Sequence, residues 1–153
     1  MAPQPIIIDC DPGQDDALML LLALASPREL NIIGITTVAG NVPLALTQRN
    51  ARLICEMAGK TETKVYAGCE RPMVRKLLTA EYVHGKSGID GVDIYEPKLP
   101  IQPQHAVDFI IDTLSPADDA SITLVPTGPL TNIATAFIKQ PAIIDKVDEI
   151  VLM

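Results

Sequence analysis

Apolar residues fall in short blocks along the chain, and the spacing inside each block selects its element. Ile6–Ile8 is wholly apolar and β-branched, which predicts a buried strand. Asp16–Ala25 is apolar nearly all round and predicts a helix buried on most of its faces. Leu30–Val38 predicts a second strand. Pro43–Ala58 predicts a helix with Leu46, Leu53 and Met57 close to one face and Gly59 as its stop signal. KVYAG (64–68) predicts a third strand. Val107, Ile110, Ile111 and Leu114 stand at i, i+3, i+4 and i+7, one face of a helix, and Leu130, Ile133, Ala134 and Phe137 repeat that spacing. SITLV (121–125) predicts the strand between them, and EIVLM (149–153) a fifth and last. Residues 69–104 break the rhythm. They hold four prolines (Pro72, Pro97, Pro100, Pro103) and the Gly-rich VHGKSGIDG (83–91), which predicts a functional loop or lid with short structure of its own.

Apolar strands separated by amphipathic helices imply an α/β fold: a mainly parallel β-sheet flanked by helices on both faces, in one domain over 1–153. Ligands in such sheets sit beyond the carboxyl ends of the strands. The polar exceptions collect there. Asp9–Asp16 follows the first strand, AGN (39–41) the second, and PTGPLTN (126–132) the strand at 121–125.

Composition narrows the partners. Aromatic residues are 3% of the chain, so Ile, Leu, Val and Ala must build the core. A net charge of −7 and a pI near 4.7 argue against nucleic acid, whose phosphates need a basic surface. Three cysteines (Cys10, Cys55, Cys69), odd in number and widely spaced, imply a reducing compartment, so a cytoplasmic location is expected. MAPQP lacks the basic start of a signal peptide. The longest apolar stretch, Ala17–Ala25, is nine residues, under half of the ~20 a membrane span requires.

The chemistry concentrates in DCDPGQDDA (9–17). Asp9, Asp11, Asp15 and Asp16 fall within eight positions, between apolar walls. Alternation along an extended chain puts Asp9 and Asp11 on one side, Pro12-Gly13 turns, and Asp15 and Asp16 open the next helix. One acid there is an ordinary cap, favoured by the helix dipole. Four around one turn repel one another, and a bound cation relieves the repulsion. All the ligands on offer are hard oxygens, which selects calcium or magnesium over zinc. An EF-hand is excluded, because counting twelve from Asp9 or Asp11 reaches Leu20 or Leu22 rather than a Glu. Alternation turns Cys10 away, as a small buried apolar residue. A magnesium-dependent phosphatase of the haloacid-dehalogenase type also carries D-x-D after an apolar strand. It expects Thr or Val where this chain has Gly13, and it gives Asp15-Asp16 no role.

DCDPGQDDA (9–17) closely resembles the signature of the inosine–uridine-preferring nucleoside hydrolases, and the resemblance continues through TTVAGN (36–41), VHGKSGIDG (83–91), TLVPTGPLTNIA (123–134) and EIVLM. It implies calcium-dependent hydrolysis of the N-glycosidic bond of ribonucleosides. By resemblance Asp11 is a calcium ligand and the general base for the attacking water, Asp16 the second, bidentate ligand, and Thr127 a further ligand through its backbone carbonyl. Asp15 and Asn41 match the ribose-hydroxyl partners, Asp9 a supporting residue behind the metal, and His84 a loop residue bordering the nucleobase pocket. A homo-oligomer, dimer or tetramer, is implied as well.

Other polar residues read structurally. Thr131 and Asn132 cap or pack their helix, His105 begins one, Asp90 and Asp93 are solvated loop charges, and Asp118-Asp119 is a polar turn. The family pattern runs on past EIVLM, through a Gly-Gly turn, an asparagine-bearing ribose loop, a His near the base and a last Asp of the calcium site. The chain is therefore expected to be truncated after the fifth strand and impaired on its own; the alternative is a non-catalytic remnant held together by oligomerisation.

Overall fold

A computed structural model describes residues 2–153. Its elements, in chain order, are β1 (Gln4–Cys10), α1 (Gln14–Leu24), β2 (Leu30–Thr37), α2 (Leu44–Met57), β3 (Val65–Ala67), α3 (Glu81–His84), β4 (Ile101–Gln102), α4 (Ala106–Leu114), β5 (Ile122–Pro126), α5 (Thr131–Lys139), a 3₁₀ turn (Pro141–Lys146) and β6 (Val147–Ile150). The strands form one six-stranded sheet in the order β4-β3-β2-β1-β5-β6, and every pairing is parallel.

Strand β1 is the hinge of this order. It pairs with β2 on one side and β5 on the other, so Asp9 lies level with both Thr36 and Pro126. The chain winds outward from β1 in opposite directions on its two sides. Such a switch point leaves a crevice at the carboxyl edge, where open α/β sheets take their ligands.

Alternation along β1 divides the core. Ile6, Ile8 and Cys10 face α1 and α2 with Leu20, Leu24, Ala51, Ile54 and Cys55. Ile7 faces the opposite layer, where α4 and α5 bring Phe109, Ile110, Leu114 and Ile133. Helices on both faces are thus the packing solution for a strand apolar on both sides. Each such side chain, fully buried, contributes about 1.5–3 kcal/mol. Two of the five aromatics stack in this layer: Tyr66 and Phe109, with ring centroids 3.8 Å apart.

Three expectations change. The sheet has six strands rather than five, because residues 69–104 contribute the two-residue β4 as well as the one-turn α3. The last strand is placed at Val147–Ile150, although its ladder continues through Val151 and Met153, whose N–H groups donate to Leu124 and Pro126. Helix α1 is not buried on most faces: Leu18 is 71% and Leu22 72% exposed. Between α1 and the neighbouring strands runs an apolar groove of about 480 Å³, lined by residues that include Ile6, Met19, Leu22, Val125 and Val151. Among the described residues, no helix is long and apolar enough to cross a membrane.

Candidate active site

The carboxyl edge at β1 gathers the predicted residues. Asp9 is the penultimate residue of β1, and Asp11 follows the strand. Pro12-Gly13 turns the chain, and Asp15 and Asp16 occupy the first turn of α1. Asn41 follows β2, and Thr127 follows β5 with its N–H donating to the Asp9 carbonyl at 2.9 Å. Asp9, Asp11 and Asp16 are buried, whereas the Asp15 side chain is half exposed. The adjacent acids therefore separate as helical rotation requires, Asp16 inward and Asp15 outward. Cys10 is buried on the other side, its thiol donating to the Thr36 carbonyl.

Asp11 is held by its neighbours. The Asn41 N–H donates to Asp11 Oδ2 at 2.6 Å, and Asn41 Nδ2 donates to the Asp11 carbonyl at 3.1 Å. The Asp11 N–H donates to Asp16 Oδ2 at 3.1 Å. Glycines flank the carboxylate: a Cβ on Gly40 would run into Asp11 Oδ2, and one on Gly128 would come within 2.7 Å of Oδ1. Asn41, matched by resemblance to a ribose partner, thus also orients Asp11.

Asp9 has a one-sided environment. Its Oδ1 accepts from Thr36 Oγ1 at 2.6 Å and from Asn132 Nδ2 at 2.8 Å. Its Oδ2 has no hydrogen-bond partner among the described residues, and neither does the buried Thr127 hydroxyl. Asn50 ties the acidic turn to the loop, donating from Nδ2 to the Pro12 carbonyl at 3.2 Å and the Ser87 carbonyl at 2.8 Å. The His84 ring packs against Gly13, with Nδ1 3.0 Å from Gln14 Oε1 and 4.0 Å from Asp15 Oδ1. His84 and Asp15 therefore share the outer rim of the turn.

Burial dominates the electrostatics. It lifts the Asp9 carboxyl to about 6, against the hydrogen bonds from Thr36 and Asn132 and with a further push from Asp16. It lifts Asp11 to about 7, opposed by the Asn41 N–H and reinforced by Asp16 and Asp15. Asp16 is raised by burial too, reinforced by Asp15 and opposed by the Asp11 N–H. Among the described residues no Lys or Arg pairs with any of the three.

The donor set suits a hard divalent cation: buried carboxylates kept close together, unpaired, with one carboxylate oxygen left over. Among the described residues no three His, Cys, Asp or Glu side chains converge as a ready-made cluster. The residues matched to ligands by resemblance are two carboxylates, Asp11 and Asp16, and the backbone carbonyl of Thr127.

These shifts predict how the metal-free protein responds to pH. Carboxyls raised in the folded state bind protons more tightly there than in the unfolded chain. The stability they contribute is full below the ordinary carboxylate range and is lost as pH rises through about 6 and then about 7. With chelator present, the melting temperature followed by circular dichroism should fall as pH rises from about 5.5 to about 8. A flat profile would contradict the burial of these acids.

Two ligating-edge residues, Thr36 and Asn132, escaped sequence reasoning as partners of Asp9, and Asn50 escaped it altogether. For Asn50 the available signal was a polar residue at a position the helical period assigns to the core, beside Leu46 and Leu53; Asn132 lies opposite the face of Leu130, Ile133, Ala134 and Phe137 and carried no such signal, yet both are fully buried on α2 and α5. Asn132 does pack its helix, as expected, but through three hydrogen bonds to other elements. His105 caps α4, accepting from the Val107 N–H. Asp90 is exposed, yet more than a solvated charge, since it accepts from the Ser87 hydroxyl at 2.6 Å and closes the loop.

Comparison with known proteins covers the same ground. Residues 6–153 match the inosine-uridine preferring nucleoside hydrolase family. The inosine-uridine preferring nucleoside hydrolase of Crithidia fasciculata is 49% identical over 99% of this chain and 48% of its own length. The pyrimidine-specific ribonucleoside hydrolase of Escherichia coli is 46% identical over 100% of this chain and 48% of its own. Among solved structures, the purine-preferring ribonucleoside hydrolase from Gardnerella vaginalis superposes with a TM-score of 0.90 at 39% identity, covering 98% of this chain and 48% of that one. The chain thus spans about half the length of the curated relatives it matches.

Proposed function

The chain belongs to the inosine-uridine preferring nucleoside hydrolase family, and from that premise we propose that this span supplies the calcium- and ribose-binding half of an enzyme that hydrolyses the N-glycosidic bond of ribonucleosides. The observation that carries the reading is the Asp11 carboxyl: buried, raised to about 7, fixed by the Asn41 N–H, and facing no basic side chain among the described residues.

N-glycosidic cleavage develops positive charge on the sugar, and carboxylates around the ribose stabilise it. A general base works best with a pKa near the working pH; burial raises Asp11 to about 7, and bound calcium would draw it lower. Its oxygen takes the proton of the attacking water, while Asn41 keeps the carboxylate aimed. Asp15, half exposed at the rim, would accept from ribose hydroxyls. His84, against Gly13, borders the same space from the loop. Asp11, Asp16 and the Thr127 carbonyl would hold calcium, which when bound supplies a Lewis-acid centre that orients water and sugar hydroxyls and lowers the water's pKa. A reducing, cytoplasmic setting goes with this reading, since the thiols of Cys10, Cys55 and Cys69 are free. So does assembly into a dimer or tetramer.

Because the span covers about half of the relatives' length, its turnover alone is proposed to be low or absent. The test is calorimetric calcium titration of the 153-residue chain, with release of base from inosine and uridine measured on it and on a polypeptide of full family length carrying it. The expected result is calcium binding by both, and calcium-dependent hydrolysis concentrated in the longer one and abolished by Asp11→Ala. Full turnover by the short chain would overturn its dependence on a second half. Neither binding nor hydrolysis in either would favour the non-catalytic remnant.

A further inference from the structure

We infer that Asn132 is a positioning residue for the metal site, fixing the Asp9 carboxylate so that one oxygen is spent inside the protein and the other is held free for the cation or a water on it. The inference rests on the calcium reading above and extends it to a residue on α5 that touches none of the proposed ligands.

Asn132 is fully buried and spends its whole amide on three elements. Its Oδ1 accepts from the Cys69 N–H at 2.8 Å, and its Nδ2 donates to Asp9 Oδ1 at 2.8 Å and to the Thr37 carbonyl at 3.0 Å. An amide nitrogen has two hydrogens, and both are used. One side chain thus ties the ends of β1 and β2 and the segment after β3 to the start of α5. Of these contacts, only the one to Asp9 bears on the acidic site.

Thr36 and Asn132 donate to the same Asp9 oxygen. That saturates Oδ1, while Oδ2 stays buried and unpartnered. A buried acceptor without a partner costs about 1–3 kcal/mol, and the fold tolerates it beside Asp16, whose charge opposes Asp9. A cation bound beside these carboxylates would relieve both penalties. Gly68 makes the arrangement possible, because a Cβ there would overlap the Asn132 amide. Residues that orient ligating carboxylates commonly alter metal affinity 10–100-fold when replaced.

A double-mutant cycle on calcium affinity tests this, using calorimetry on wild type, Asn132→Ala, Asp9→Asn and the double variant, with melting curves in chelator as the check on folding. Asn132→Ala should weaken calcium binding about 10–100-fold in the wild-type background and less than about threefold once Asp9 is already Asn. Gly68→Ala, which displaces the amide from outside, should reproduce the loss. Equal losses in both backgrounds, or no loss in a folded Asn132→Ala protein, would overturn the inference while leaving the calcium reading intact. Failure of the wild type to bind calcium would overturn the reading, and the inference with it. If Asn132→Ala and Gly68→Ala both fail to fold, the residue serves the fold alone and the inference falls.

Discussion

Replacing Asp11 with asparagine should lower hydrolysis at least ~100-fold, within the range expected for loss of a general base, in any polypeptide carrying this span that turns over inosine or uridine. The same change should raise the melting temperature of the metal-free protein at slightly alkaline pH. Both effects have one origin. Asp11 is buried, and its carboxyl is pushed to about 7 by burial and by Asp16 and Asp15. Above that pH the folded protein carries a charge it solvates poorly, a penalty on the order of a few kcal/mol. Asparagine keeps the shape, and its Oδ1 can still accept from the Asn41 N–H that now bonds Oδ2. It has neither the charge that attracts calcium nor an oxygen basic enough to take a proton. Melting curves with and without calcium, alongside initial rates, separate the two effects. Calcium should stabilise the wild type and leave Asp11→Asn almost unmoved. A variant that hydrolyses like the wild type, or that melts lower in chelator, would show that Asp11 serves packing and not chemistry.

The layered sheet was legible because Ile6–Ile8 and the helical spacing from Val107 to Leu114 obey periods that only buried strands and amphipathic helices satisfy. The acidic turn was legible because Asp9 to Asp16 violates those periods at a strand end. Helix α3 and strand β4 are too short for any period to register, four and two residues; β4 is held by its pairing with β3, and α3 sets His84 against Gly13 at the acidic turn. Leu18 and Leu22 looked buried because hydrophobicity marks which face of a helix can be covered, not which face is. Asn132 read as a helix-start residue because its partners Asp9, Thr37 and Cys69 are 123, 95 and 63 positions away. Only the strand order brings them together.

Gly40→Ala should be nearly as damaging as loss of Asp11, without touching any charge. The added methyl would run into Asp11 Oδ2 and stand 2.8 Å from its Cγ and 2.9 Å from the Pro129 ring. Neither neighbour yields easily. Asp11 is pinned by the Asn41 N–H at 2.6 Å, and Pro129 is a closed ring next to Thr127-Gly128. The carboxylate must swing off the Asn41 N–H, and the oxygen proposed as the base leaves its place. A misplacement of about 1 Å costs on the order of 100-fold in rate, and overpacking removes about 1–3 kcal/mol of stability. Gly59→Ala provides the control. Gly59 sits in the left-handed region at φ 68° with no atom within 4 Å of an added Cβ, so alanine there strains the backbone by about 1 kcal/mol far from the acids. Gly59→Ala should therefore lose some stability and keep calcium affinity and hydrolysis, whereas Gly40→Ala should lose all three. If the two variants lose stability alike and both bind calcium within about threefold of the wild type, a span small enough to lie within ordinary mutational scatter, then the glycine beside Asp11 is a turn residue and the close fit around the carboxylate has no part in the chemistry.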